Sequence, residues 1–363
     1  MSEEKKNLFG TLLQKEGFYK ASTIVEDLAS KVPDRQYAFS TSPCLSWMTA
    51  CGFVPGTMSL WYGPKSSGKT MLVLDVLKNF QQQEPDAIIV FVDAEMSFEY
   101  RETLVWMAAN GIDLDRVLVI REVCIIEIFE TKILKDLNLA IKTEGVKICG
   151  MALDSIQAMS VLKVPETEKQ ISNASKDNTL SKADFGKRAN YLAKIFPFFR
   201  MFCRDNRIHT CLIGQARSGG KDSYGNQIWE TNGGEALFHE VQYRFLVTQS
   251  GDPIFHPTKK DINGKEVKIG HNVKVVCEKN KMADGLGRVG IISIEYMKGV
   301  VDKEGELAEL VTKLGIAEGG GAWISYGGNK YNGVKKFAEA IKADDLLYKE
   351  LFNKVMFRAT EAA

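Results

Sequence analysis

The chain has 363 residues, 45% of them hydrophobic, and its 47 Lys and Arg against 46 Asp and Glu leave a formal net charge of +1. A near-neutral chain is not a basic nucleic-acid binder throughout, so any contact with a polyanion must be a local patch, and the apolar content supports a main domain with smaller appendages. Seven cysteines without C-x-x-C spacing and four scattered histidines argue against a disulfide framework or a zinc site; no run reaches the roughly 20 apolar residues of a membrane span and the N-terminus lacks a signal-peptide pattern, so a cytoplasmic protein with reduced thiols is expected.

Residues 1–36 are charged and helix-prone, with Leu8, Phe9, Leu12 and Leu13, then Ile24, Val25, Leu28 and Ala29, at helical spacing. This piece has too few apolar residues to fold alone; it packs on its own core or docks on a neighbouring subunit. Pro33 and Asp34 separate it from an expected short strand over 37–41. A buried strand over 57–62 then leads into Gly63-Pro64-Lys65-Ser66-Ser67-Gly68-Lys69-Thr70. This stretch fits the phosphate-binding loop G-x-x-x-x-G-K-[ST], and an apolar-faced helix follows it. Gly63 and Gly68 allow a tight turn whose amides point inward at phosphate oxygens. Lys69 is suited to the β- and γ-phosphates and the Thr70 hydroxyl to Mg²⁺.

The run 87–92 is continuously apolar, as in a parallel strand buried on both faces, and ends in Asp93-Ala94-Glu95. Carboxylates beyond such a strand end stand where ligands bind in open α/β sheets, and Glu95 is the candidate to polarise the water that attacks the γ-phosphate. Helices are expected over 97–110 and 125–142, with a strand over 117–120 between them. The strand 146–153 ends in Asp154, the Walker B form, whose carboxylate holds Mg²⁺. Residues 164–184 are polar and aperiodic, a loop long enough to be functional. A helix follows from near Lys187-Arg188 to about Asn206; its stripe Leu192, Ile195, Phe196, Phe199, Met201 and Phe202 is core by default, and Pro197 predicts a kink or early break. After a strand over 210–214 come Gln215-Ala216-Arg217 and a second irregular loop, 218–230, carrying Lys221, Tyr224 and Trp229 and closing on Gly233-Gly234. Basic and aromatic groups on two such loops suit single-stranded nucleic acid, by phosphate neutralisation plus stacking. Strands over 243–248, 272–277 and 290–296 are expected as antiparallel additions to the sheet. A small C-terminal α/β domain begins near 301.

Together these stretches resemble the bacterial RecA-type recombinases over nearly the whole chain. The resemblance is carried by Ser40-Thr41-Ser42-Pro43-Cys44-Leu45-Ser46, the phosphate loop, Phe91-Val92-Asp93-Ala94-Glu95, Leu153-Asp154-Ser155, Gly214-Gln215-Ala216-Arg217, Gly233-Gly234, Lys279-Asn280-Lys281, Gly305-Glu306-Leu307 and Gly321-Ala322-Trp323. It implies a RecA-like P-loop ATPase core with a mainly parallel sheet over 37–300, an N-terminal oligomerisation segment over 1–36 and a C-terminal accessory domain over 301–363. It implies a helical filament on single-stranded DNA that pairs with homologous double-stranded DNA, with ATP and Mg²⁺ as cofactors. Carried over by residue, Lys69 and Thr70 bind phosphate and Mg²⁺, Glu95 is the catalytic carboxylate, and Asp154 is the Walker B acid. Gln215 senses the γ-phosphate, and Lys279 and Lys281 reach the ATP of the adjacent subunit. The adenine-stacking aromatic is Tyr100 or Trp106. DNA contacts are assigned by region, to Lys187, Arg188, Arg217, Lys221, Tyr224, Gly233 and Gly234, because both loops depart from the family's residues. A RecA-like regulatory protein that uses ATP as an assembly switch without strand exchange is the alternative.

Overall fold

The computed structural model describes residues 40–50, 52–97, 101–161, 182–221, 223, 227–231, 235–250, 258–320 and 322–361. The N-terminal segment 1–36, nearly all of the first loop, Tyr100, Tyr224, Gly233 and Gly234 lie outside the described residues.

Helix α1 (Pro43–Thr49) starts where Ser42 accepts a hydrogen bond from the Leu45 amide and Pro43 presets the first turn. Ser40 and Thr41 lead into this cap and are not strand. Strand β1 (Met58–Gly63) is buried along its whole length, and α2 (Lys69–Gln83) follows the phosphate loop. Next come β2 (Ile88–Asp93), α3 (Arg101–Ala109) and β3 (Val117–Ile120). A wide π-type helix, α4 (Glu127–Leu137), continues as α5 (Asn138–Glu144). After β4 (Ile148–Asp154) come the long α6 (Lys182–Asp205), β5 (His209–Lys221), β6 (Gln227–Thr231), the short α7 (Glu235–Glu240) and β7 (Tyr243–Gln249). A two-stranded ribbon, β8 (Thr258–Lys260) and β9 (Glu266–Lys268), precedes β10 (Gly270–Asn280), β11 (Val289–Glu295) and β12 (Gly299–Val301).

The central sheet runs β12-β11-β10-β7-β1-β5-β4-β2-β3. The six strands from β7 to β3 are mutually parallel, and β10, β11 and β12 add antiparallel. Alternation along β1 divides the core between two faces. Trp61 packs with Leu72, Phe80 and Phe245 on one side, whereas Met58, Leu60 and Tyr62 join Phe129, Phe196 and Phe199 on the other. The C-terminal segment forms α8 (Lys303–Lys313), a three-stranded antiparallel sheet of β13 (Glu318–Gly320), β14 (Trp323–Tyr326) and β15 (Asn329–Tyr331), and helices α9 (Gly333–Ala343) and α10 (Asp345–Glu361). Its Leu307, Ile324, Phe337 and Leu351 belong to the same apolar cluster as Met48 and Leu72.

Four expectations are corrected. Strand β7 is parallel to β1, not antiparallel. Its half-exposed alternation reads as an antiparallel strand, but reciprocal bonds between Met58 and Gln242, N to Oε1 at 2.8 Å and N to O at 2.9 Å, seat its start beside the start of β1. The second loop is largely a hairpin, with Arg217 opposite Glu230 and Lys221 opposite Gln227. Of the kink or early break expected at Pro197, the break does not occur, because α6 is helical on both sides of it. Ala193, whose carbonyl loses its partner there, is exposed to water, while Leu192, Phe196, Phe199, Phe202 and Cys203 bury the other face and hold it. Met201, read as core, is 48% exposed.

Candidate nucleotide site

Parallel strands end together, so the residues just past β1, β2, β4 and β5 converge on one edge of the sheet. The phosphate loop leaves β1 at Gly63, where a Cβ would lie 1.8 Å from the Val247 carbonyl oxygen, so only glycine fits. Gly68 caps α2 with φ of 92°, a left-handed conformation that glycine adopts without strain. Between them Ser66 also takes a positive φ, 59°, and its carbonyl accepts from Gln249 Nε2 at 3.0 Å. The loop is therefore a backbone cradle that opens at a helix N-terminus and whose size a single Cβ would destroy, which is the geometry an anionic phosphate chain requires.

Lys69 is buried beneath this cradle. Its ammonium donates to the carbonyls of Gly63 at 3.2 Å and Pro64 at 2.7 Å and to Ser67 Oγ at 3.5 Å. Burial lowers its pKa, and the Asp154 and Glu95 carboxylates oppose that shift. Thr70 Oγ1 donates to Asp154 Oδ2 at 2.9 Å. Burial pushes the Asp154 carboxyl up to about 7; Glu95 and, more weakly, Asp93 add to the rise, against Thr70 and Lys69. An acid so placed gains when a cation arrives. No cluster of three or more His, Cys, Asp or Glu is present among the described residues. A divalent ion here would therefore be held by one hydroxyl, one carboxylate, phosphate oxygens and water, the ligand set of Mg²⁺.

Glu95 stands exposed past β2, and the Ala94 and Glu95 amides donate to the Asp154 carbonyl at 2.9 and 3.2 Å. This ties the carboxylate's turn to the end of β4. Glu95 Oε1 accepts from Ser155 Oγ and from Gln215 Nε2, the latter at 2.9 Å, and the Gln215 amide donates to Gln157 Oε1 at 2.9 Å. Asp93, Ser155 and Gln157 have no assigned role in the sequence reading. Asp93 caps the Ser97 amide at 2.8 Å, and Ser155 and Gln157 orient Glu95 and Gln215. Only their positions just beyond or at strand ends could have signalled them.

The other predicted residues fall elsewhere. Trp106 is on α3, past Glu95 in the chain. Arg217 and Lys221 are exposed on the β5 extension, so one strand carries Gln215 at the nucleotide site and two cations on the hairpin. Lys187 is exposed near the start of α6, whereas Arg188 is buried and donates to the Gln157 and Met159 carbonyls at 2.9 and 3.2 Å, so it secures the chain leaving β4 and is not presented to a ligand. Lys279 and Lys281 lie at the opposite edge of the sheet. Asn280 pairs with Tyr243, and Tyr243 with Ser59. From Ser59, β1 advances four residues, about 13 Å, before it reaches Gly63. Neither lysine reaches the phosphate loop of its own chain.

The family model for the RecA N-terminal domain matches residues 15–301. Among curated proteins the chain is similar to Protein RecA of Mycoplasmopsis pulmonis, 27% identical over 308 residues that cover 84% of this chain and 80% of the relative. Protein RecA of Methylococcus capsulatus is 27% identical over 337 residues, 91% of this chain and 86% of the relative. Protein RecA of Mycoplasma mycoides is 29% identical over 307 residues, 84% of this chain and 78% of the relative.

Proposed function

Since the chain belongs to the RecA family, we propose that it is an ATP-hydrolysing recombinase that assembles as a filament on single-stranded DNA and pairs it with homologous duplex. The observation that carries this reading is the Glu95–Gln215 hydrogen bond at 2.9 Å. It joins the candidate base to the strand that continues, within six residues, into the basic hairpin.

The residues divide the chemistry as follows. Lys69 exchanges its loop carbonyls for phosphate oxygens, and the loop amides orient the chain of phosphates. Thr70 and Asp154 would hold Mg²⁺, which when bound neutralises phosphate charge. Glu95, set by Ser155, accepts a proton from the attacking water. Gln215 bonds Glu95 while the site lacks a γ-phosphate and turns to that phosphate when it is present, so the hairpin feels the nucleotide state. Lys279 and Lys281 complete the site of a neighbouring subunit, because their own phosphate loop is out of reach. No described helix is long and apolar enough to cross a membrane. The test is ATP turnover with and without single-stranded DNA, followed by strand exchange with homologous duplex. DNA-stimulated turnover with exchange is expected. Turnover indifferent to DNA would reject the coupling, and stimulated turnover without exchange would leave an assembly switch.

A further inference from the structure

We propose that Gln249 and His271 are positioning residues of the phosphate loop: from the two strands beyond β1 they hold the Ser66 and Ser67 carbonyls outward, so that the Ser67 and Gly68 amides face the phosphates. The proposal rests on the phosphate-loop reading above and deepens it. In a planar trans peptide the carbonyl of one residue and the amide of the next point opposite ways. A cradle that turns its amides inward therefore turns its carbonyls outward, and each of these needs a donor. The donors differ along the loop. The Gly63 and Pro64 carbonyls accept from Lys69 at 3.2 and 2.7 Å, bonds that the ammonium gives up to phosphate. The Gly68 carbonyl accepts from the Leu72 amide at 3.2 Å, inside α2. Ser66 and Ser67 lie between, and their carbonyls turn to side chains far along the chain.

Ser66 carries a positive φ, 59°, without being glycine, a conformation that persists only where its surroundings hold it. Its carbonyl accepts from Gln249 Nε2 at 3.0 Å. Strand β7 pairs with β1 as far as Leu246 beside Tyr62 and runs on to Gln249, so this amide reaches the loop from alongside. Gln249 in turn pairs with Val273 on β10, in the strand that carries His271. The His271 ring lies against the next step of the loop: a Cβ on Gly68 would meet Ile294 Cδ1, Val273 Cγ1 and His271 Nε2 at 2.8, 3.3 and 3.4 Å. Burial lowers the pKa of this ring, and a hydrogen bond with the Ser67 backbone raises it. A bond that favours the imidazolium is one the ring donates, so its acceptor is the Ser67 carbonyl. The contact is loose, since both ring nitrogens are shut off from water and neither meets a partner in full hydrogen-bond geometry among the described residues. A buried polar ring so placed gains when the bond tightens, and it tightens as phosphate draws the Gly68 amide inward. The seat of the ring is fixed: Asn272 Oδ1 accepts from Ser293 Oγ at 3.0 Å, and the Asn272 carbonyl accepts from the Ser250 amide at 2.9 Å.

The full chain is compared as wild type, Gln249→Met, His271→Leu and His271→Gln, with Lys69→Ala as reference. ADP and inorganic pyrophosphate are each titrated by calorimetry in the presence of Mg²⁺. Gln249→Met and His271→Leu remove a donor at similar volume, and each should weaken both ligands alike, by about three- to tenfold for one hydrogen bond. His271→Gln keeps a donor and should bind both like wild type. Unchanged affinities in Gln249→Met and His271→Leu overturn the proposal. So does a loss for ADP that spares pyrophosphate, which would set these side chains against the nucleoside. Gln249 is exposed, so Gln249→Met still decides if His271→Leu does not fold. Wild type that binds neither ligand, or Lys69→Ala that binds both as well as wild type, would remove the phosphate-loop reading itself. Binding that depends on Lys69 but not on Gln249 or His271 would remove only the present proposal.

Discussion

The two ends of the parallel strands are built on opposite plans. At the carboxyl ends of β1, β2, β4 and β5, one chain supplies the cradle, the ammonium, the candidate metal-holding pair, the carboxylate and the glutamine, linked by the contacts Thr70–Asp154 and Gln215–Glu95 at 2.9 Å each. At the opposite end the chain presents a pair of lysines with no phosphate site of its own beside them. If the proposed roles hold, the phosphate-binding half of the chemistry is local and the charge-completing half is not. Damage to the first should abolish the reaction in every assembly, whereas damage to the second should depend on the neighbour.

The largest effect is expected at the complete edge. Lys69→Ala leaves phosphate charge without its buried cation and should lower turnover by on the order of 10³-fold. Turnover near that of the wild type would remove the phosphate-loop assignment. Glu95→Gln should cost about 10²-fold or more in turnover, because an amide accepts no proton, yet should still bind nucleotide. Filaments of this variant should outlast those of wild type on DNA. Equal loss of binding and turnover would make Glu95 structural.

Protonation sharpens the same contrast. The Asp154 carboxyl is raised in the folded state to about 7. A carboxyl raised on folding stabilises the protein fully below its unfolded value, near 3.9, and that contribution is lost as pH rises through the folded value. Without nucleotide and magnesium, Tm should therefore fall from about pH 4 to about pH 7 and level off above it. Mg²⁺ with nucleotide should lessen the fall, since a cation favours the ionised acid, and Asp154→Asn should flatten it. A wild-type profile already flat across that range contradicts the assignment. The smallest effect belongs to the hairpin. Replacing both Arg217 and Lys221 with Ala should reduce the salt dependence of single-stranded DNA binding by about 1.4 in the log–log slope, about 0.7 for each phosphate contact. An unchanged slope would mean that these cations meet no phosphate.

The nucleotide edge was legible in the sequence because its signals are local. The glycine spacing around Lys69 and the apolar runs ending at Glu95 and Asp154 each lie within one strand and its turn. What was not legible depends on partners far along the chain. The direction of β7 is set by Gln242 against Met58, a contact between residues 184 apart. The hairpin was hidden by Ser218, Gly219 and Gly220, which read as loop because glycine lowers strand preference, although Ser218 pairs with Trp229 and the two glycines form an irregularity before the pairing resumes at Lys221. Helix α6 outlasts Pro197 because burial of Phe196 and Phe199 outweighs the lost backbone bond.

The division between the two edges is tested most directly by mixing two defective chains. Glu95→Gln and Lys281→Ala are each expected to be nearly inactive alone, and they are combined in equal amounts on single-stranded DNA. Random assembly joins an intact Glu95 to a neighbour's intact Lys281 at about one interface in four. The account predicts that a comparable fraction of wild-type turnover returns, less if firing along the filament is cooperative. A mixture shown to co-assemble that stays as inactive as its components would contradict it.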